Sequence, residues 1–512
     1  MRTPEPYEGD DDTAFSASRV REIIGEIAKE PHPVDTPAHE RVRKYLCSQL
    51  ASLGLQPVRG DPDSEDSYVV ETNGCKNILA MLDGASDNAI LLMAHYDSAR
   101  NSYGAADDGY GIATILEILR AIKAQNVPLL NDIMILFTDA EELWMKGAKG
   151  EIKHHLDRYK NVLLVVNVEA YGIKGPPLMF ETGDKNASVV SYYAKHARNP
   201  VAYSFTAAYY SFMRDDTDFA VFRNYGFDGL NFGVIDGFEY HHTPNDHPDN
   251  IDVRSLQHYG DQVFPIAKSF VSDPSVSSEL FTSNTNKQFF TVFPGILVSY
   301  SETVSTVLAA LAAVLSVALF VAGCRSRRIK PGKTFAYTGL LLTSVIGLSL
   351  ASEGVVWLLS VPYGKRFKLV NMVDLPNDDL TYWLLNIAAA VLLGVICRRI
   401  AKRNQGPELL FAGILLNLVL SLLLILFLTN TSYIAILPAL LASLYAATIS
   451  LMENRASGAA TLGLAVMLDM IIFVPIVTLV YQALSIGLTG AGVFFCLLPF
   501  TTILPMFYSG LK

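Results

Sequence analysis

Cysteine is scarce in this chain. Its five copies among 512 residues are Cys47, Cys75, Cys324, Cys397 and Cys496, and no two form a CxxC pair. A thiolate zinc knuckle and a CxxC redox motif are therefore excluded, while a Cys47–Cys75 bridge, which an oxidising compartment would permit, is left open. A basic excess is missing too. The 40 Lys and Arg face 50 Asp and Glu, a formal net charge of −10, which argues against nucleic acid as a partner. The opening stretch, MRTPEPYEGDDD, is acidic and polar, with neither the apolar core of a signal peptide nor a first membrane helix. Charge is thin overall: 18% of residues against 51% apolar, an unusual balance for a soluble protein with room for two or three domains.

That average hides a split. Residues 1–290 carry nearly all the Asp, Glu and His, and long apolar runs dominate from about residue 303. A bilayer core of ~30 Å takes ~20 apolar helical residues to cross. Seven stretches satisfy this, about 303–323, 334–361, 380–397, 409–428, 431–451, 461–483 and 485–507. Pro438, Pro499 and Pro505 within them are tolerated in membrane helices where neighbours satisfy the freed carbonyls. Arg325, Arg327, Arg328, Lys330, Lys333, Arg398, Arg399, Lys402, Arg403, Arg455 and Lys512 fall on one side of the membrane. Only Lys365, Arg366 and Lys368 fall on the other, diluted by Asp374, Asp378 and Asp379. The bias predicts cytoplasmic basic loops and a front domain on the non-cytoplasmic side. Nothing before residue 303 would start export of that domain. The expectation is that a membrane helix precedes this sequence; the other arrangement keeps the domain cytoplasmic. Glu353 and Asp469 lie inside apolar spans, as helix caps or bundle pairs, or as functional groups.

The front half predicts an α/β fold with a mostly parallel, helix-covered sheet, followed by an all-α polytopic transmembrane domain. The predicted boundaries are a disordered tail over 1–13, a catalytic domain over 14–272, a linker over 273–302 and the membrane domain over 303–512. Val20, Ile23, Ile24 and Ile27, then Val42, Tyr45, Leu46, Leu50 and Leu53, recur at helical spacing; PHPVDTP separates the two helices and Gly54 ends the second. Wholly apolar runs of strand length follow at Ala89–Met93, Ile133–Phe137, Val162–Val166 and Leu230–Ile235, suited to strands buried on both faces. A helix over Ile112–Ala124 lies between the first two.

Each run leads into groups that bear chemistry. The first ends in His95-Tyr96-Asp97, the second in Thr138-Asp139-Ala140-Glu141-Glu142, the third in Asn167-Val168-Glu169, and the fourth reaches Tyr240-His241-His242-Thr243-Pro244. Asp107 sits in the loop GAADDGYG, before a helix. Open α/β sheets bind ligands beyond the carboxyl ends of their strands. Carboxylates gathered in one crevice repel one another, a divalent cation relieves that, and mixed imidazole and carboxylate donors suit zinc better than magnesium or calcium.

Taken in order over roughly residues 16–272, HYDS, GAADDGYG, AEELWMKGA, NVEAYG and HHTPND resemble the co-catalytic zinc peptidase family of aminopeptidase Y and bacterial leucyl aminopeptidase (metallopeptidase family twenty-eight), to which glutaminyl cyclase is related. PHPVDTPAHERVRKYL and DDTDFAVF are similar to its branch of endoplasmic reticulum metallopeptidases and vacuolar membrane proteases, whose peptidase domain stands between a first membrane helix and several later ones. The resemblance implies two zinc ions per chain held by His95, Asp107, Glu142, Glu169 and His242. Asp107 would bridge both, and Glu169 stands where Asp is more usual. It implies Glu141 as general base and Asp97 as the carboxylate orienting His95, with peptide or protein substrates and aminopeptidase action. Tyr240 or Tyr209 is a candidate oxyanion donor. Rival readings are glutaminyl cyclisation by a single zinc, a metal-free receptor-like domain, and a function seated in the membrane domain.

Other groups read more plainly. His154 and His155 suit a solvated helix face, Glu117 a surface or supporting position, and YSFTAAYYSF packing or a contact for a peptide side chain. Asp215, Asp216 and Asp218 would shape the substrate site or cap a helix.

Overall fold

The structure, a computed structural model, describes residues 3–9, 11–58, 67–210, 216–293, 295–363, 375–403, 406–451 and 455–510. Asp215, Lys365, Arg366, Lys368, Asp374 and Lys512 lie outside these ranges. The chain forms two compact units, Met1–Ser299 and Tyr300–Lys512.

Sequence periodicity explains how the first unit begins. Helix α1 (Ala17–Ile27) buries Val20, Ile24 and Ile27, one stripe of a 3.6-residue repeat. In α2 (Pro37–Ser52) the Thr36 hydroxyl accepts the His39 N–H and Pro37 opens the first turn. Gly54, at φ 70°, ends that segment. Eight strands follow in one sheet: β1 (Gln56–Pro57), β2 (Val69–Thr72), β3 (Cys75–Leu82), β4 (Ala89–His95), β5 (Asp132–Thr138), β6 (Val162–Ala170), β7 (Leu178–Thr182) and β8 (Gly229–Val234). Their order is β1-β3-β5-β4-β6-β8-β7, with β2 also on β3. The four predicted strands are the central ones, β5-β4-β6-β8, and all three pairings among them are parallel. The edges are antiparallel, so the sheet is mixed.

Both faces are covered. Ile90, Leu92 and Ala94 of β4 join a core with α1, α3 (Gly109–Ala124) and α8 (Val253–Ser272). The alternate residues Ala89, Leu91 and Met93 pack with Ala148 and Ile152 of α4 (Lys146–His155) and Phe219 and Phe222 of α7 (Asp218–Arg223). Helices α5 (Ala187–His196) and α6 (Ser204–Tyr210) flank β7 in sequence. Continuous hydrophobicity in β4 thus follows from its two buried faces.

Two predicted boundaries meet packed chain. In the stretch read as a tail, the Tyr7 N–H donates to Gln257 Oε1 at 3.1 Å and the Thr13 carbonyl accepts from Gln125 at 2.7 Å. In the stretch read as a linker, α9 (Ser278–Phe281) and β9 (Lys287–Phe293) place Phe281 and Phe289 in the first core, because apolar side chains there find a face to bury. Cys75, Cys324, Cys397 and Cys496 are free thiols.

The second unit is helical: α10 (Glu302–Arg325), α11 (Pro331–Ser360), α12 (Asp378–Ala401), α13 (Gly406–Phe427), α14 (Tyr433–Leu451), α15 (Arg455–Leu484) and α16 (Thr489–Gly510). Among the described residues, six helical segments are long and apolar enough to cross a membrane, so the chain is a multi-pass membrane protein. The last of these, Ala456–Ser509, holds both α15 and α16, which a 3-10 turn at Ser485–Leu488 separates and which pack against each other, so the seven predicted stretches fall on the seven helices α10–α16. Glu353 does cap a helix: its Oε2 accepts the Gly490 N–H in the first turn of α16 at 2.6 Å. Asp469 is 1% exposed, and neither of its carboxyl oxygens has a partner among the described residues.

Candidate metal centre

Parallel register brings the polar groups to one rim. His95, the last residue of β4, lies opposite Thr138, the last of β5, and Met93 lies opposite Asn167 of β6. Glu141 and Glu142 follow β5 by three and four residues, and Glu169 closes β6 two residues past Asn167. After β8 the chain turns at Gly237 (φ 84°) and reaches His241 and His242 through a 3-10 turn. Asp107 and Asp108 open α3, whose first turn is pressed on the sheet: a Cβ on Gly111 would sit 2.3 Å from the Val168 carbonyl oxygen.

Asp107 lies between two groups of donors. Its Oδ1 is 3.0 Å from His95 Nε2, while its Oδ2 is 3.2 Å from both His241 Nδ1 and His242 Nε2. His95 Nε2 is also 3.4 Å from Glu169 Oε1, and His242 Nε2 is 3.0 Å from Glu142 Oε2. The five residues expected to bind metal therefore come together. His241 joins them, with donor atoms of Asp107, His241 and His242 all within 4.8 Å of one another. A second such trio is His95, Asp108 and Glu169. Both Asp108 oxygens are already engaged: Oδ1 accepts Gly111 N–H at 2.9 Å and Oδ2 accepts His95 N–H at 3.2 Å.

Asp97 supports this rim in two ways. Its main-chain carbonyl is 3.0 Å from His95 Nδ1, nearer than its carboxylate at 3.5 Å. The carboxylate instead accepts the N–H groups of Glu141 at 3.0 Å and Glu142 at 3.3 Å, fixing the loop that carries both acids. Asp246 does the same for the Asp107 loop. Its Oδ1 accepts Ala106 N–H at 2.7 Å, and its Oδ2 accepts the Ser102 hydroxyl at 3.0 Å and Asp107 N–H at 3.4 Å. Sequence reasoning gave Asp246 no role, although it closes the HHTPND motif. Ala140 (φ 60°) and His242 (φ 56°) occupy the left-handed region, which costs a non-glycine residue about 1–2 kcal/mol. Such outliers concentrate where a side chain must be aimed.

The remaining candidates lie at varied distances from this rim. Asp218 is buried and accepts the Thr138 hydroxyl. Tyr210, from the tyrosine-rich stretch, packs on Phe180 at 4.8 Å and shares a 2.8 Å hydroxyl contact with Tyr171, whose ring is 5.6 Å from that of His241. Tyr209 stacks on Phe205 and Tyr240 packs against the first core. His154 is exposed, as a solvated face requires. Glu117 is a buried supporting residue, held by Arg19 and Arg120.

Buried negative charge sets the electrostatics. Burial pushes the Glu141 carboxyl well up, with Asp218, Glu169 and Asp107 adding to the shift against His95. Burial and Asp107 push Glu142 up to about 7, and burial pushes Asp218 up to about 7. Burial alone would lower His242, yet Asp107 and Glu142 carry it up to about 10; burial takes His241 down to about 4 and keeps it neutral. Carboxyls pushed up by burial and by one another mark a site short of positive charge. Asp107 Oδ2, Glu142 Oε1 and His241 Nδ1 are buried without a hydrogen-bond partner among the described residues. Their close approach without hydrogen-bond geometry, in a mixed nitrogen and oxygen donor set, fits a divalent metal.

Residues 77–267, which contain this whole constellation, match the model of Peptidase family M28. The chain is 30% identical over 229 residues to endoplasmic reticulum metallopeptidase 1 of Mus musculus, covering 44% of this chain and 25% of that protein. A vacuolar membrane protease of Candida tropicalis is 26% identical over 354 residues, covering 64% of this chain and 37% of the relative. The chain thus spans well under half the length of these curated relatives. Among solved structures, the LapA aminopeptidase of Legionella pneumophila aligns over 53% of this chain and 78% of its own, at 17% identity and a TM-score of 0.43.

Proposed function

We propose that this chain is a membrane-anchored, zinc-dependent peptidase that removes residues from the amino end of peptides or proteins. The observation that carries this reading is the convergence of His95, Asp107, Glu142, Glu169 and His242 within ion-pair distance at the carboxyl ends of the parallel strands. His95, Asp107 and Glu169 would hold one zinc, and Asp107, Glu142 and His242 a second. Bound there, zinc acidifies water and polarises a carbonyl oxygen.

The protein's own groups do the rest. Glu141, on the loop that Asp97 fixes beside the metal donors, accepts the proton of the attacking water and returns it to the departing amine. Asp97 fixes the loop bearing Glu141 and Glu142 and sets the His95 ring through its carbonyl. Asp246 holds the Asp107 loop. The basic loops, Arg325–Lys333 and Arg398–Arg403, face the cytoplasm and the peptidase domain the other side.

Glu141→Gln is expected to keep its zinc and lose turnover by about a hundred- to ten-thousandfold on aminoacyl reporters. Zinc content measured beside the rate checks this, and a variant that still hydrolyses refutes Glu141 as the base. Purified protein with neither zinc nor hydrolysis would turn the reading to a receptor-like domain, and cyclisation of amino-terminal glutamine with one zinc would turn it to an acyl transferase.

A further inference from the structure

His241 is placed in a way that packing alone does not explain. Its ring stacks on that of His242, with centroids 3.7 Å apart and planes 23° apart, although the two are chain neighbours. Its surroundings are aromatic, with Phe238 at 5.0 Å and Tyr171 at 5.6 Å, and its side chain is 12% exposed against 47% for His242. A phenylalanine would fill that position equally well. Histidine adds a polar nitrogen, and Nδ1 is buried, lacks a hydrogen-bond partner among the described residues and stands 3.2 Å from Asp107 Oδ2. A buried polar atom without a partner costs about 1–3 kcal/mol. The same Asp107 oxygen meets His242 Nε2 at 3.2 Å, so two imidazole nitrogens converge on one carboxylate oxygen. Three donors of this kind within 4.8 Å are what a shared ion requires.

We propose that His241, through Nδ1, is an additional ligand of the metal position formed by Asp107, Glu142 and His242. The inference rests on the zinc reading above and adds a donor to it. With this added imidazole the position has more protein donors than the one of His95, Asp107 and Glu169. The position with His241 is therefore the tighter of the two.

The test uses the full chain in detergent, stripped of metal. Zinc uptake is titrated against a chromophoric chelator, and the visible spectrum of the cobalt(II)-loaded protein is recorded, for the native chain and for His241→Phe, which keeps the ring and its packing. The native chain is expected to take two zinc ions of unequal affinity. His241→Phe should weaken the tighter one by at least about tenfold, since even outer partners of a ligand contribute that much, and should change the cobalt bands. Native affinity and native bands in His241→Phe would overturn the inference while leaving the zinc reading intact. A native chain that takes one zinc would end the two-zinc reading, and His241 would then be judged by the same comparison on that ion. No zinc uptake by the native chain ends both. Should His241→Phe fail to fold by circular dichroism, His241→Ala carries the comparison with the same outcomes.

Discussion

Protons and metal compete for the same side chains at this rim. His242 is pushed up to about 10 by Asp107 and Glu142 against the effect of burial, so in the metal-free protein it is an imidazolium at neutral pH. A zinc ligand must be neutral imidazole, and binding therefore expels that proton. The sign follows directly: apparent zinc affinity rises as pH goes from 6 to 8, with proton release visible as a buffer-dependent heat in titration calorimetry. An affinity independent of pH would remove His242 from the ligand set. Asp246 acts one step further out, through the Ala106 and Asp107 amides. Asp246→Ala should cost about ten- to a hundredfold in zinc affinity with the fold retained, read by chelator competition beside circular dichroism. His95, Asp107, Glu142, Glu169 and His242 could be named as candidates in the sequence because they stand after apolar runs or in a glycine-rich loop and because the motifs around them resemble those of a zinc peptidase family. Asp246 and His241 were not assigned, because what each does depends on which atom faces Asp107, and spacing along the chain carries no such information.

Helix α3 shows how one buried acid ties elements together. The Glu117 carboxylate, 1% exposed, accepts Ser16 N–H at 3.0 Å, Arg19 Nε at 2.9 Å and Arg120 Nε at 2.6 Å, joining α3 to the start of α1. Removing one partner leaves uncompensated charge, so Glu117→Ala should destabilise the first unit by about 3 kcal/mol, seen as a lowered thermal midpoint. A midpoint unchanged from the native chain would return Glu117 to the surface role that sequence alone allowed. In the second unit, Glu353→Ala should cost the α16 terminus about 1 kcal/mol through the lost Gly490 contact, measured in detergent denaturation. Strands β4, β5, β6 and β8 could be read in advance because burial on both faces leaves them continuously apolar. Strands β3 and β7 could not, because buried polar residues interrupt them. Asn77 in β3 binds the Gly147 carbonyl and the Asp139 amide, and Glu181 in β7 is buried against Arg223 and Asn231. Polar residues with partners look like loop residues until the partners are known.

At the scale of the whole chain, a charged α/β domain is followed by apolar helices that differ from it in every physical respect. If the basic loops are cytoplasmic, a cysteine placed by Arg327→Cys should react with an impermeant maleimide only after cells are permeabilised, relative to the native chain. Labelling of intact cells would put the peptidase domain in the cytoplasm instead. Composition alone determined that a charged domain precedes a membrane bundle, because the bilayer and water select residues of opposite character over ~20-residue lengths. The α/β class and the residues at the strand ends were likewise set by local pattern. Three things were decided only by the folded chain: the antiparallel edges of the sheet, the packing of α15 against α16, and the meeting of two imidazoles at a single Asp107 oxygen. Each depends on groups far apart in sequence coming within a few ångströms, and no local pattern encodes that distance.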